Sequence, residues 1–291
     1  MSIDKLHERI RKLKNPSVID FSIKADLIPP HLLQEEGSFC GAYGRFCREL
    51  MAELKDLVAG VRFSFNAFAM LGSDGLQLLR QLLTLAGEYS YYVFLDGPEI
   101  LCPWDADNTA EAILGNDLYP CDGLIISPYI GSDAIKPFLP YCKEKNKALF
   151  AVVRSPNKSA SELQDLITGS RQVHTATVDI INRLGENLSG KCGFSRVGAL
   201  ASATTASGLQ NLRAKYKYVY LFVDGYDYPS ANAKNCSYAF DRYGFGAVVC
   251  AGSSVTAAWK ETESDGTNYI EAAVQTAERM KRNLTRYVTI L

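Results

Sequence analysis

A chain of 291 residues carrying 31 basic and 32 acidic side chains, with 47% hydrophobic residues, holds enough apolar material for one large core and has no surplus charge. Near-neutrality gives no basis for electrostatic capture of nucleic acid or of an anionic membrane surface. Eight cysteines form no C-x-x-C pair, no 18-residue apolar stretch occurs, and the N-terminal "MSIDKLHERIRKLKN" is charged and amphipathic rather than a signal core, so the composition reads as a reduced, cytoplasmic, soluble protein.

Short apolar runs alternate with longer helical patterns about eight times. The strand candidates are 17–21, 60–65, 91–96 and 123–128, followed by 148–153, 196–202, 218–224 and 246–252. Most are nearly continuous apolar runs, as parallel strands covered on both faces require. Between them lie helical segments at 72–87, 132–145 and 159–169, the last with a serine start and a glycine finish that fit helix caps. Eightfold strand–helix alternation predicts an α/β fold of the (β/α)8 TIM-barrel type over one domain spanning 1–291. The doubly wound alternative lacks a G-x-G-x-x-G after its first strand.

In such barrels the C-terminal ends of the strands face the active site. Those ends carry Asp20, Arg62, Asp96, Ser155 with Arg154 beside it, Asp224 and the "AGSS" turn at 251–254. Each charge alone reads as a solvated loop group or a helix cap, whereas together they predict a ligand pocket. His7, His31 and His174 fall at none of these ends and form no metal-spaced cluster, so no metal site is expected. The loop "DGPEILCPWDADNTA" after the third strand holds Asp96, Asp105 and Asp107, and no lysine occurs between Lys55 and Lys136.

Several segments resemble orotidine 5′-phosphate decarboxylases, in particular the longer bacterial branch of that family. They are "VIDFSIKADLIPPHLL", "VRFSFNAFAMLGSDGLQLL", "SPYIGSDAIKPFL", "VVRSPNKSASELQDL", "GFSRVGALASATTASGLQNLR", "FVDGYDYPSAN" and "GFGAVVCAGSSV", standing in the family's order from about residue 15 to about 285. The resemblance implies a barrel that converts orotidine monophosphate to uridine monophosphate and CO2 in pyrimidine biosynthesis. It implies no cofactor, a small-molecule ligand of the pyrimidine nucleotide kind, and a homodimer that shares its sites. Asp20 and Ser155 match ligand-contacting positions.

The family's chemistry sets demands that this chain meets in part. Decarboxylation leaves a carbanion-like centre, which needs a cation beside it and a proton donor. In the family, a D-x-K-x-x-D loop supplies the lysine between two aspartates, the second from the partner subunit, and another lysine ends the second strand. Here that strand position is Arg62, which keeps a charge but does not readily exchange a proton. Counting forward from Asp96 puts Pro98 at the loop lysine and Leu101 at the second aspartate. Counting back from "DADNTA" keeps Asp105 as that aspartate and puts Cys102 at the lysine. A loop insertion retaining both Asp96 and Asp105 is preferred, and the lysine is absent under either alignment. A thiol at Cys102 near carboxylates is expected to have a raised pKa and brings no positive charge.

The phosphate clamp differs too. Gly225 is kept, Pro229 stands at the family's glutamine, Ser253 replaces its arginine, and Asp224 and Asp227 bring negative charge. Arg154, where the family has threonine, is a candidate for partial compensation. The expectation is a family barrel with weak or no decarboxylase activity. The alternatives are a genuine decarboxylase with substituted residues, or a barrel re-used for another small anionic ligand.

Overall fold

The computed structural model describes residues 2–21, 24–262 and 264–291. Eight parallel strands close into a barrel: β1 (Ser17–Asp20), β2 (Gly60–Ser64), β3 (Tyr92–Asp96), β4 (Gly123–Ile126), β5 (Ala148–Val152), β8 (Val197–Ser202), β9 (Leu221–Asp224) and β10 (Ala247–Ala251). Going round, β1 pairs with β2, the order runs on through β3, β4, β5, β8 and β9, and β10 returns to β1. Helices separate the strands in sequence, which makes this a (β/α)8 barrel. All eight strand segments read from the sequence are strands here, with ends differing by at most three residues. The intervening β6 (Ile167–Thr168) and β7 (Arg171–Gln172) form a small antiparallel hairpin outside the barrel.

The interior is filled by aromatic rings where the inward faces of the strands alternate with small residues. Phe94, Phe150 and Phe222 meet edge to face, with centroids 4.9 Å apart for Phe94–Phe222 and 5.3 Å for Phe94–Phe150. They occupy room left by glycines: a Cβ on Gly198 would stand 2.7 Å from the Phe150 ring, and one on Gly60 would stand 3.2 Å from Phe94. This layer closes the barrel beneath its C-terminal mouth. At the opposite end lies the helix Ser2–Leu13, which buries Ile3, Leu6 and Ile10. Its Ser2 hydroxyl is 2.7 Å from the Tyr92 hydroxyl at the start of β3, and Arg9 donates to the Ala59 carbonyl just before β2.

Two of the helices read from the sequence are reshaped. The segment 159–169 is not a helix: a 3-10 turn at Lys158–Glu162 leads into β6 and β7, with Gly169 at φ +64° in the hairpin turn. The Gln164 side chain accepts from the Ser155 amide and its carbonyl from the His174 amide, so local partners displace the helical ladder. In 132–145, Pro137 and Pro140 divide the run into 3-10 turns at Ser132–Ala134 and Lys136–Phe138 and a short helix, Leu139–Glu144. The expected helix at 72–87 is present as Gly72–Glu88.

Candidate active site

The register brings the charged strand ends together. Asp20 lies opposite Arg62 between β1 and β2, Ser64 opposite Asp96 between β2 and β3, and Ser202 opposite Asp224 between β8 and β9. Arg62 and Ser64, two apart, share the inward face of β2. The Arg62 guanidinium therefore rises from the aromatic layer, its carbon 5.5 Å from the centre of the Phe222 ring. Three carboxylates surround it. Asp96 takes a two-pronged contact, with Nε–Oδ1 at 2.9 Å and Nη2–Oδ2 at 2.8 Å, while Asp224 Oδ1 is 3.1 Å and Asp20 Oδ2 4.0 Å from Nη1.

Burial works to lower the Arg62 pKa, but Asp224, Asp96 and Asp20 outweigh it and raise it well above the ordinary arginine value. Burial raises the Asp96 pKa, with Arg62 opposing and Asp224 adding to the rise. Such an arginine is a fixed cation: it can stabilise negative charge and cannot hand over a proton near neutral pH.

A cleft of about 600 Å3 opens over this cluster, within the size range of small-molecule sites. Of the residues singled out from the sequence, Asp20, Arg62, Asp96, Asp224, Gly225 and Ser253 line it. Gly225 sits at φ +85°, and a side chain there would meet the Pro156 Cβ at 2.4 Å, so this turn over the mouth excludes every other residue. Lys24, Tyr226, Tyr228 and Cys250 also line the cleft and were not among the candidates. Lys24 precedes a turn and Cys250 lies within an apolar run, so neither carried a strand-end signal.

The remaining candidates stand elsewhere. Arg154 binds Asp165 through Nε at 3.1 Å and Nη2 at 3.0 Å, and lines a separate recess with Asp165 and His174. The Ser155 hydroxyl donates to Asn157 Oδ1 at 2.6 Å, and the Ser155 amide is held by Gln164; only the neighbouring Pro156 reaches the cleft wall. Pro98, Cys102 and Asp105 do not line the cleft. Asp105 starts the helix Pro103–Thr109, where its carboxylate accepts from the amides of Leu101 and Cys102, both at 3.1 Å, and from the Cys102 thiol at 2.9 Å. The Cys102 pKa is raised, with desolvation first and the bond to Asp105 next, as expected from the sequence. Among the described residues no group of three or more His, Cys, Asp or Glu is placed to hold a metal ion, and no helix is long and apolar enough to cross a membrane.

The fold and cleft define a (β/α)8 barrel with a cleft of small-molecule size at the C-terminal mouth of its strands. No family model matches the chain. It is 26% identical over 287 residues to the orotidine 5′-phosphate decarboxylase of Clostridium novyi, covering 98% of both chains. To that of Rhodopirellula baltica it is 27% identical over 260 residues, covering 86% of both. Over nearly its whole length the chain is thus similar to curated orotidine 5′-phosphate decarboxylases, at the low identity of a divergent relative. Solved structures agree in fold: Leishmania donovani OMP decarboxylase superposes with a TM-score of 0.74 at 20% identity, covering 97% of this chain and 98% of that one. The orotidine 5′-monophosphate decarboxylase of Methanocaldococcus jannaschii, complexed with the inhibitor BMP, gives 0.61 at 14% identity over 93% and 98%.

Proposed function

We propose that this barrel keeps the family's small-molecule pocket, derived from a pyrimidine-nucleotide site of pyrimidine biosynthesis, and has lost most or all of the decarboxylase reaction. The observation that carries this reading is the state of Arg62. The cation at the centre of the mouth is bound by three carboxylates and holds its proton tightly. It can steady a developing negative charge, but the reaction also needs a proton delivered to the same carbon. Asp105 and Cys102, at the resemblance's lysine loop, are engaged with each other at a helix start rather than with the cleft. Removing one preorganised electrostatic group typically lowers a rate by about 10²–10³-fold.

Pure protein incubated with orotidine monophosphate is expected to release no CO2 above a protein-free blank. Turnover well above the blank would overturn this reading. A second reading, the genuine decarboxylase with substituted residues, draws on Lys24, the one lysine among the described residues that line the cleft. It requires that such turnover exist and that Lys24→Met abolish it.

The homodimer implied by the resemblance is part of the same proposal. Met70, Leu101 and Trp104 are 82%, 71% and 68% exposed on the segments that follow β2 and β3, where a second copy would cover them. Asp105, beside Trp104, lies on the same segment and would face a second copy docked there. Sedimentation should give a dimer and Trp104→Glu a monomer. A monomeric unmutated chain would sink this part.

A further inference from the structure

We infer that Asp227 is a built-in anion standing where this kind of barrel would hold a ligand's phosphate, so the cleft takes an unphosphorylated ligand with a neutral or cationic far end. The ligand class rests on the preceding reading of the mouth as a pocket derived from a nucleotide site; the exclusion of phosphate rests on Asp227 itself. In (β/α)8 barrels, phosphates are frequently bound between the loops after the seventh and eighth strands, by backbone N–H groups that converge there. The corresponding strands are β9 and β10. The loop after β9 carries Asp227, and the turn after β10 carries Gly252, Ser253 and Ser254.

The Asp227 carboxylate reaches across from one loop to the other. Its Oδ2 accepts from the Gly252 amide at 2.8 Å and from the Ser254 amide at 3.4 Å, and its Oδ1 accepts from the Ser254 hydroxyl. The donors that would surround a phosphate oxygen are thus committed to an oxygen of the protein's own, with negative charge already in place. A second anion in this corner would find fewer free donors and a carboxylate alongside.

The rest of the cleft does not offset this. Among the described residues four carboxylates line it, those of Asp20, Asp96, Asp224 and Asp227, against two basic groups. Arg62 is engaged by three of the four, which leaves Lys24. In the recess next to the cleft, Lys260 pairs with Asp26 at 2.9 Å. A nucleoside or another polar, uncharged or cationic molecule of similar size meets none of these conflicts.

The test uses the full chain with three probes, namely inorganic phosphate, uridine and uridine monophosphate, read by thermal shift and isothermal titration against chloride at matched ionic strength. Phosphate is expected to stabilise the unmutated protein no more than chloride does, and uridine monophosphate to bind no tighter than uridine. In Asp227→Ser, phosphate should stabilise specifically, and uridine monophosphate should gain at least tenfold over uridine. Asp227→Asn, which removes the charge and keeps the shape, should move in the same direction by less. Specific stabilisation of the unmutated protein by phosphate, or a tenfold preference for uridine monophosphate over uridine, overturns the inference. So does the absence of any phosphate response in folded variants. If neither pyrimidine binds, the pyrimidine reading of the pocket falls, and the phosphate arms alone uphold or overturn the role of Asp227. If the variants do not fold, the unmutated arms decide.

Discussion

Arg62 shows how one side chain can hold a site together and still fail to supply its chemistry. Three carboxylates converge on the mouth of the barrel, and without a cation between them they would repel one another across a poorly hydrated space. The guanidinium is 12% exposed, with its partners between 18% and 26%. Removing one member of such a buried cluster costs about 3–5 kcal/mol, because the remaining charges are stranded. Arg62→Met is therefore expected to destabilise the fold by that order. The pH dependence has a definite sign. Burial already raises the Asp96 pKa against the pull of Arg62; with Arg62 gone it rises further, so Asp96 favours the fold when protonated and costs it stability as pH rises through that pKa. The variant's deficit relative to the unmutated chain should shrink as pH falls from 7 toward 4.5, as read by urea unfolding across that range. A deficit independent of pH would mean that lost packing, and not stranded charge, is the cause.

The loop and helix after β3 assign different work to residues that the sequence groups together. Asp96 ends the strand and turns into the mouth, whereas Asp105, nine residues on, tucks under the start of Pro103–Thr109. The bond from the Cys102 thiol holds the Asp105 carboxylate below its usual pKa, with the amides of Leu101 and Cys102 adding to the effect. A cap of this kind is present above the ordinary carboxylate pKa, about 4, and is lost as pH falls through the depressed folded value. Asp105→Ala is expected to fray the helix start and make 97–102 cleavable by protease at neutral pH, while Asp105→Glu, which suits this third helical position and can still reach back to the Cys102 amide, should keep most of the protection. Equal cleavage of Asp105→Ala and the unmutated chain would show that the cap does not hold this loop. The segment 159–169 teaches the complementary lesson. Its serine and glycine sit where caps would, yet Gln164 is bonded to Ser155 and His174 from outside the segment. Partners just beyond the segment's ends, nine and ten residues from Gln164, outvote a helical signal read from the segment alone.

At the scale of the whole molecule, the barrel was legible because its strands are covered on both faces, which leaves eight uninterrupted apolar runs in the sequence. The mouth was legible for the same reason: a charge ending such a run has to stand at the rim, and Asp20, Arg62, Asp96 and Asp224 all do. Lys24 and Cys250 were not, since a lysine in a turn and a cysteine in an apolar run look like ordinary surface and core. Nor did position along the chain reveal that Arg154 turns away from the mouth to Asp165. The interior layer carries a further consequence for the site. Phe94, Phe150 and Phe222 are the floor on which Arg62 rests, and they fit because Gly198 and Gly60 leave room for their rings. A methyl group at Gly198 would stand 2.6 Å from the Tyr220 carbonyl oxygen and 2.7 Å from Phe150, between a fixed backbone and a ring held on its other edges. Overpacking of this kind typically costs about 1–3 kcal/mol. Gly198→Ala should lower the urea midpoint accordingly. Because the displaced ring presses on its neighbours in a densely packed layer, the same variant should weaken any ligand bound above Arg62. A lower midpoint with ligand affinity unchanged would show that the floor yields without moving the site.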